Sequence, residues 1–188
     1  RLFMLSDSPP DRDLDWTDSG IEGAWKYINK LWRLITEESE SLISANTSKP
    51  MQFNKAELFW RRLIHKTIFE VSNDLDKFHF NKAVARIRTL TNEIGSFKPS
   101  NNNMKWIKRE GFETIIKLIN PIMPHLAEEL WEKLGQKKAL VETTWPNVNT
   151  LLLVDEKTTI AVQVNGKLRG TIDLPIDLPV YHLNNGRT

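Results

Sequence analysis

The chain contains no cysteine among its 188 residues. Disulfide bonds, zinc–thiolate sites and cysteine nucleophiles are therefore excluded. No apolar run approaches the roughly 18 residues that a transmembrane helix requires, and the first residues lack the basic-then-apolar order of a signal peptide. There is no glycine-rich phosphate loop, no nucleophile elbow and no metal-binding motif. The sequence therefore offers no catalytic apparatus of its own.

Neither sign of charge predominates, since 26 basic and 24 acidic side chains leave a net charge of +2. Such a balance does not indicate a nucleic-acid-binding protein, so any RNA binding must come from basic residues gathered on one face. The hydrophobic content of 40% and the charged content of 27% are typical of a soluble globular protein. The length allows one core, or one domain with a small appendage.

The most informative segment lies between residues 120 and 135. Pro121 removes a backbone donor and disfavours helical geometry at Asn120, which predicts that the preceding helix kinks or ends there. Pro124 suits the first position of a new helix, and Gly135 suits a left-handed C-cap. Leucines recur between them at intervals of four, at Leu126, Leu130 and Leu134. The pattern predicts a short amphipathic helix that turns sharply off the preceding one.

Helical spacing predicts four further helices before this one. The first begins at Thr17, Asp18 or Ser19, with Glu22 completing a capping box, and runs to about Ile43. Its apolar stripe is formed by Ile21, Ala24, Trp25, Ile28, Trp32 and Ile35.

The second helix starts near an Asn54 cap, and its stripe continues to Phe78. The third follows a corner at residues 78–81, with Asn81 as its cap, and stops near Gly95. The fourth spans roughly residues 105–119, with Gly111 as a weak point.

The two ends of the chain differ from this helical part. Residues 1–16 contain two adjacent prolines and four aspartates, which favours an extended strand or loop. Residues 159–164 and 167–172 alternate around Asn165 and Gly166, which predicts a β-hairpin. The tail beyond residue 174 has little periodicity.

Basic residues lie at helical spacing on several of the predicted helices. They are compatible with contact to an RNA backbone, but also with ordinary solvated faces, because acidic residues interleave with them. Five of the seven tryptophans fall in apolar helical patterns, which predicts core packing rather than base stacking: Trp25, Trp32, Trp60, Trp106 and Trp131. For His125, after Pro124, we expect a structural or capping role rather than that of a base or metal ligand.

Residues 120–131 resemble the closing segment of the anticodon-binding helical bundle of class I aminoacyl-tRNA synthetases of the leucine, isoleucine, valine and methionine subgroup. Residues 1–10, 14–24 and 29–34 resemble the junction at which the catalytic domain of bacterial leucyl-tRNA synthetases meets this bundle. Residues 80–85 are similar to the third-helix signature of the bundle. Residues 160–170 are similar to the opening hairpin of the leucyl enzyme's C-terminal domain. Together these segments single out the leucine family.

The resemblance implies a mainly α fold, namely the anticodon-binding bundle with a small C-terminal β-hairpin. It divides the chain into a junction with the missing catalytic domain at 1–16, the bundle at 17–146, the hairpin at 147–174 and a divergent tail at 175–188. It also implies a fragment of a cytoplasmic enzyme, without a membrane partner, that joins leucine to its tRNA using ATP and magnesium. The HIGH and KMSKS motifs of that family are absent from this sequence. We therefore expect no cofactor and no catalytic activity in this chain.

The partners implied are leucine tRNA and the catalytic domain of the same enzyme. On charge and expected exposure alone, the residues that we predict to contact the tRNA backbone are Lys26, Lys30, Arg33, Arg61, Arg62, Arg86, Lys167 and Arg169. Two alternatives stay open at this point. One is the same bundle from an isoleucyl-, valyl- or methionyl-tRNA synthetase, and the other is a non-catalytic helical scaffold for protein interactions.

Overall fold

Helices dominate the chain, as the sequence predicts. This computed structural model describes residues 1–154, 157–164 and 167–175. The chain divides into two compact units, Arg1–Asn149 and Thr150–Thr188, with the α-helices in the first and the strands in the second. The elements are α1 Leu2–Asp7, α2 Asp18–Glu38, α3 Lys55–Asp76, α4 Phe80–Ser96, α5 Asn102–Ile119, α6 Pro124–Lys133, β1 Lys157–Val164 and β2 Lys167–Pro175. No helix among the described residues is long and apolar enough to cross a membrane.

Helix α4 lies at the centre of the first unit and packs against α1, α2, α3 and α5. Ile87, Leu90 and Ile94 have no exposed surface and form the middle of its buried face. Gly111 of α5 approaches this face so closely that a Cβ atom there would lie 2.8 Å from Ile94 Cδ1. A residue that weakens α5 as an isolated helix thus permits close packing of α5 on α4.

Residues 2–7 depart from the extended strand or loop predicted for residues 1–16, whereas residues 8–16 form a loop as predicted. Residues 2–7 form α1, which packs against α2 and α4. Leu2 and Phe3 are buried, and a Cβ atom on Gly20 of α2 would collide with the Phe3 ring. The prediction was wrong because burial of this short apolar run depends on helices that lie far along the chain.

The bounds of α2 also differ from those predicted. Its N-cap is Thr17, whose Oγ1 accepts a hydrogen bond from the Gly20 N–H at 3.3 Å, so Ser19 does not form a capping box. The helix ends at Glu38 rather than near Ile43. The hydroxyl of Ser39 donates to the Thr36 carbonyl, and serines that bond to nearby backbone in this way compete with helical hydrogen bonding.

The buried face of α2 is rotated relative to the predicted stripe. It is formed by Ala24, Tyr27, Leu31 and Ile35, whereas Trp25 is 63% exposed. The Tyr27 hydroxyl lies 3.0 Å from Thr91 Oγ1 of α4, and burial raises the pKa of Tyr27 to about 12. A tyrosine can occupy the core when its hydroxyl has a partner. The prediction of a core position for Trp25 was therefore wrong, whereas Trp131 is buried and Trp32, Trp60 and Trp106 are partly buried against the core.

The start of α3 confirms the predicted cap. Asn54 Oδ1 accepts from the Glu57 N–H at 3.0 Å, and the Glu57 carboxylate accepts from the Asn54 N–H at 2.9 Å. The corner after α3 does not follow the prediction, because Asn81 lies inside α4 and the N-cap is His79. Phe78 is exposed and adopts a left-handed φ of 58°, so it lies outside the apolar stripe assigned to it.

The turn between α5 and α6 follows the predicted course. Helix α5 ends at Ile119, Pro124 takes the first position of α6, and Gly135 has a left-handed φ of 76°. Asn120 nevertheless keeps helical angles of −53° and −45°. The expected shift of Asn120 away from helical geometry was wrong, although the helix ends at the predicted place.

After α6 the chain returns along α3. Trp145 Nε1 donates to Ser72 Oγ at 2.8 Å, and the Asn149 N–H donates to His65 Nδ1 at 3.2 Å. Because Ser72 and His65 lie two helical turns apart, residues 145–149 run antiparallel to α3. These bonds hold the end of the first unit on one helix.

In the second unit, β1 and β2 pair antiparallel from Lys157 opposite Pro175 to Val164 opposite Lys167. This pairing confirms the predicted strands of the hairpin. The turn predicted at residues 165 and 166 and the tail beyond residue 175 lie outside the described residues.

Candidate nucleic-acid interface

Three of the predicted tRNA contacts form one exposed face of α2. We call Lys26, Lys30 and Arg33 the α2 cationic face. Lys26 pairs with Glu22 at 2.7 Å, and the hydrogen bond from Lys26 holds the pKa of Glu22 below its ordinary value. Lys30 Nζ donates to Asn92 Oδ1 of α4 at 2.6 Å. Exposed pairs of this kind contribute little stability, so the cations can exchange these partners for phosphate groups.

A second basic surface lies between α3 and α4, in a cleft of about 480 Å³. We call it the α3–α4 groove. It brings Arg86, which the sequence analysis selected, together with Lys66 and Lys82, which it did not select. The groove is lined by Leu63, Lys66, Thr67, Glu70, Lys82, Ala85, Arg86 and Thr89.

Arg86 is tied to two carboxylates at the edge of this groove. Its Nε donates to Asp74 at 2.7 Å and its Nη1 to Glu70 at 2.5 Å. The hydrogen bond to Asp74 is the largest effect that raises the pKa of Arg86 above its ordinary value. The side chain remains 39% exposed, so a phosphate would have to share this cation with the two acids.

Arg61 does not have the exposure on which its selection depended. Its side chain is 5% exposed, and its Nε and Nη2 donate to the two carboxylate oxygens of Glu110 at 3.0 and 3.1 Å. The guanidinium also lies 4.4 Å from the centre of the Phe53 ring. Arg61 therefore joins α3 to α5, and its neighbour Arg62 is half-buried.

Glu110 has a second basic neighbour in His65, whose Nε2 lies 3.6 Å from Glu110 Oε1. Burial raises the pKa of this carboxyl group. The hydrogen bonds and charges of His65 and Arg61 outweigh burial, so the pKa of Glu110 lies below its ordinary value. The carboxylate thus stays charged inside the bundle.

Two further cations of α5 serve the fold, and sequence reasoning missed them. Lys108 is 1% exposed, donates to the Phe97 carbonyl at 2.9 Å and pairs with Glu38. Arg109 donates to the Ile43 carbonyl at 2.6 Å and to the Leu134 carbonyl, and so ties down the loop after α2 and the end of α6. The sequence did hold a signal for Lys108, because it lies four residues before Phe112, on the apolar stripe of α5.

The two predicted contacts of the hairpin, Lys167 and Arg169, are both exposed. The register shifts at this point, since Gln163 lies opposite Leu168 and Val162 lies opposite Gly170. Arg169 is therefore the additional residue of a bulge, and the regular alternation of side chains between the two faces of the strand is interrupted there.

Metal-ligating side chains do not cluster in the described part of the chain. No group of three His, Asp or Glu residues there could hold a metal ion, so these residues do not fit a magnesium site. His125 is exposed, and no side chain caps the N-terminus of α6, so the expected capping role was wrong.

Comparison with known proteins identifies the domain. A family model described as the anticodon-binding domain of tRNA ligase matches residues 59–183. The chain belongs to this family. This membership confirms the mainly α anticodon-binding bundle that the sequence predicts.

The relatives of this anticodon-binding domain include leucine–tRNA ligases. That of Paramagnetospirillum magneticum is 53% identical over 178 residues, covering 95% of this chain and 20% of the relative. That of Rhodospirillum rubrum is 49% identical, covering 94% of this chain and 20% of the relative. In a crystal structure of a ternary complex of Agrobacterium radiobacter K84 agnB2 LeuRS, tRNA and LeuAMS, the similar chain gives a TM-score of 0.79 at 26% identity. The match covers 95% of this chain and 23% of that one, so this chain spans about a fifth to a quarter of these relatives.

Proposed function

We propose that this chain is the tRNA-binding and positioning portion of a leucine–tRNA ligase. The observation that carries the proposal is the 53% identity to a leucine–tRNA ligase over 95% of the chain. It favours the leucine enzyme over the isoleucine, valine and methionine enzymes. The structural similarity to a LeuRS in complex with tRNA supports tRNA as the partner.

In this proposal the chain positions RNA and does not perform chemistry. The α2 cationic face and the α3–α4 groove neutralise backbone phosphates, which gives affinity independent of sequence and sensitive to salt. The rigid bundle holds the tRNA so that its acceptor end reaches an active site in the rest of the parent enzyme, which raises the effective concentration of the reacting end. ATP and magnesium belong to that other part, and the protein acts in the cytoplasm.

The test is a titration of the 188-residue chain with leucine tRNA and with an unrelated tRNA at several salt concentrations. We expect binding that prefers leucine tRNA and weakens by roughly 0.7–0.9 log units per phosphate contact for each decade of salt. Binding to neither tRNA at low salt would contradict an autonomous tRNA-binding role.

Charge-reversal variants distinguish a specific contribution of the α2 cationic face to tRNA binding from a general effect of net charge. The triple variant K26E/K30E/R33E should lower the salt slope by roughly 2 units, for three lost phosphate contacts. The matched control is K133E/K137E/K138E, which changes three exposed lysines near the end of α6 and gives the same net charge. Equal slopes for the two variants would show that the α2 face has no special role. Neither the unmodified 188-residue chain nor these two variants should catalyse ATP–pyrophosphate exchange.

A further inference from the structure

Arg88 of α4 differs from the other cations that the bundle partly or fully buries. Those cations pair with carboxylates, which offsets the cost of removing their charge from water. Arg88 is half-buried as well, but no carboxylate in the described part of the chain pairs with it, and its buried Nε has no hydrogen-bond partner there. The fold therefore supplies no counter-charge to Arg88 among the described residues. The pairs of the other cations are Arg61 with Glu110, Arg86 with Glu70 and Asp74, Lys108 with Glu38, and Arg109 with Glu113.

An aromatic ring takes the place of a carboxylate beside Arg88. The guanidinium carbon lies 4.9 Å from the centre of the Tyr27 ring of α2. Tyr27 is buried and its hydroxyl lies 3.0 Å from Thr91 Oγ1, so the ring is fixed between α2 and α4. A guanidinium over an aromatic face is attracted to the ring but keeps its charge and its N–H donors. The ring therefore orients Arg88 without neutralising it.

Arg88 lies beside the α2 cationic face. Asn92 lies one helical turn after Arg88 and accepts the hydrogen bond from Lys30 Nζ at 2.6 Å. Lys30 in turn lies three residues after Tyr27, on the same side of α2. The two contacts between α2 and α4 are therefore neighbours, and Arg88 extends the α2 cationic face onto α4.

The acidic side chains of the two helices lie away from this line of contact. Glu22, the acid of α2 nearest to Tyr27 in sequence, lies five residues before it, which is about 140° around the helix. It pairs with Lys26 at 2.7 Å. Glu93, the acid of α4, lies at the same angle from Arg88. An anion that reaches Arg88 therefore meets positive charge.

We propose that Arg88 binds a phosphate group of the tRNA backbone and that Tyr27 is its positioning residue. This inference rests on the proposed function and adds to the α2 cationic face a residue that the sequence analysis did not select. A phosphate supplies the missing counter-charge, and arginine can bind it through two parallel N–H donors. Arg86, two residues earlier, already shares its charge with Glu70 and Asp74.

The test measures tRNA binding and stability for the variant R88M of the 188-residue chain. Its salt slope for leucine tRNA should fall by roughly 0.7–0.9 units, for one lost phosphate contact. Its urea midpoint should stay equal or rise, because no carboxylate loses its partner. The matched control is K137M, which removes one exposed lysine near the end of α6 and should leave the salt slope unchanged.

Substitutions of Tyr27 test its positioning role. Y27L removes the ring and should weaken binding of leucine tRNA by roughly two- to fivefold, whereas Y27F keeps the ring and should bind like the unmodified chain. In the R88M background, Y27L should have no further effect on binding, which a double-mutant cycle measures. If Y27L does not fold, Y27M, which fills more of the space, takes its place. A folded variant without the ring that binds tRNA as tightly as the unmodified chain would overturn the role of Tyr27.

The outcomes separate this inference from the proposed function. If the unmodified chain binds leucine tRNA while R88M and K137M have equal salt slopes, the inference alone is overturned. Binding of neither tRNA by the unmodified chain would contradict the proposed function, and phosphate binding by Arg88 with it. A urea midpoint of R88M that falls as far as that of R86M, which leaves Asp74 without its cation, would show that Arg88 is a structural residue and would also overturn the inference.

Discussion

At the scale of single residues, the same side-chain type serves two purposes in this bundle. Arg33 is exposed on α2, whereas Arg61 is buried between Glu110 and the Phe53 ring. Both belong to basic clusters at helical spacing, so their sequence surroundings are alike. Whether a cation is available for RNA therefore depends on a carboxylate that lies far along the chain.

The difference in burial predicts that substitution of Arg61 lowers the free energy of unfolding more than substitution of Arg33. R61M should lower the free energy of unfolding by about 3 kcal/mol, because it removes both Arg61 hydrogen bonds from the Glu110 carboxylate and leaves only the more distant His65 as a basic neighbour. R33M should change it by less than about 0.5 kcal/mol, as expected for an exposed site. Urea unfolding of both variants measures the effect, and similar losses would contradict the assignment of Arg61 to the core.

The two partly buried carboxyl groups of α5, Glu110 and Glu113, predict opposite dependences of stability on pH. The pKa of Glu110 is lowered, so its contribution to stability is present above its unfolded value of about 4.5 and is lost as pH falls through the folded value. Burial raises the pKa of Glu113 despite the nearby Arg109, so its contribution is present below that value and is lost as pH rises through the folded pKa.

Unfolding free energies at pH 3.5 to 7 test this prediction. The advantage of the unmodified chain over E110Q should grow with pH, and its advantage over E113Q should shrink. Parallel curves for the two variants would contradict it.

At the scale of elements, the structural role of a glycine depends on where it lies in its helix. Gly135 ends α6 in a left-handed conformation, whereas Gly23 lies within α2 with open space where a Cβ atom would be. The sequence indicates that Gly135 ends a helix, because it directly follows the last leucine of the apolar repeat of α6. It does not indicate that Gly111 marks a close helix contact, because that depends on Ile94.

Replacing Gly135 or Gly23 by alanine should change the free energy of unfolding in opposite directions. G135A should destabilise the fold by about 1 kcal/mol, because alanine is strained at positive φ. G23A should stabilise it by roughly 0.5–1 kcal/mol, because alanine has the higher helix propensity. Urea midpoints measure both, and a destabilised G23A would indicate a contact at that position.

At the scale of the whole molecule, the two units contribute differently to stability and charge. The helical unit has its own core, whereas an isolated two-stranded ribbon is marginal in water. The first unit should therefore provide the stability of the chain, whereas Lys167 and Arg169 of the second unit should provide positive charge for tRNA binding.

Truncation separates these contributions. A chain ending at Asn149 should keep a cooperative urea transition with an unchanged midpoint. Its salt slope for tRNA should fall by roughly 1.5 units, for the loss of the two predicted phosphate contacts at Lys167 and Arg169. K167Q/R169Q in the full chain should reproduce the change in slope, and a broad transition in the truncated chain would show that the first unit needs the second.

The sequence by itself determined the number and order of the main helices, the Asn54 cap, the turn at Pro121 and Pro124, and the strands of the hairpin. These features depend on periodicity, on capping side chains and on restricted backbone angles, all of which are local. The tertiary structure decided the burial of Arg61 and Lys108, the exposure of Trp25 and the helical form of residues 2–7. The physical reason is that burial and ion pairing depend on partners dozens of residues away, which no local pattern specifies.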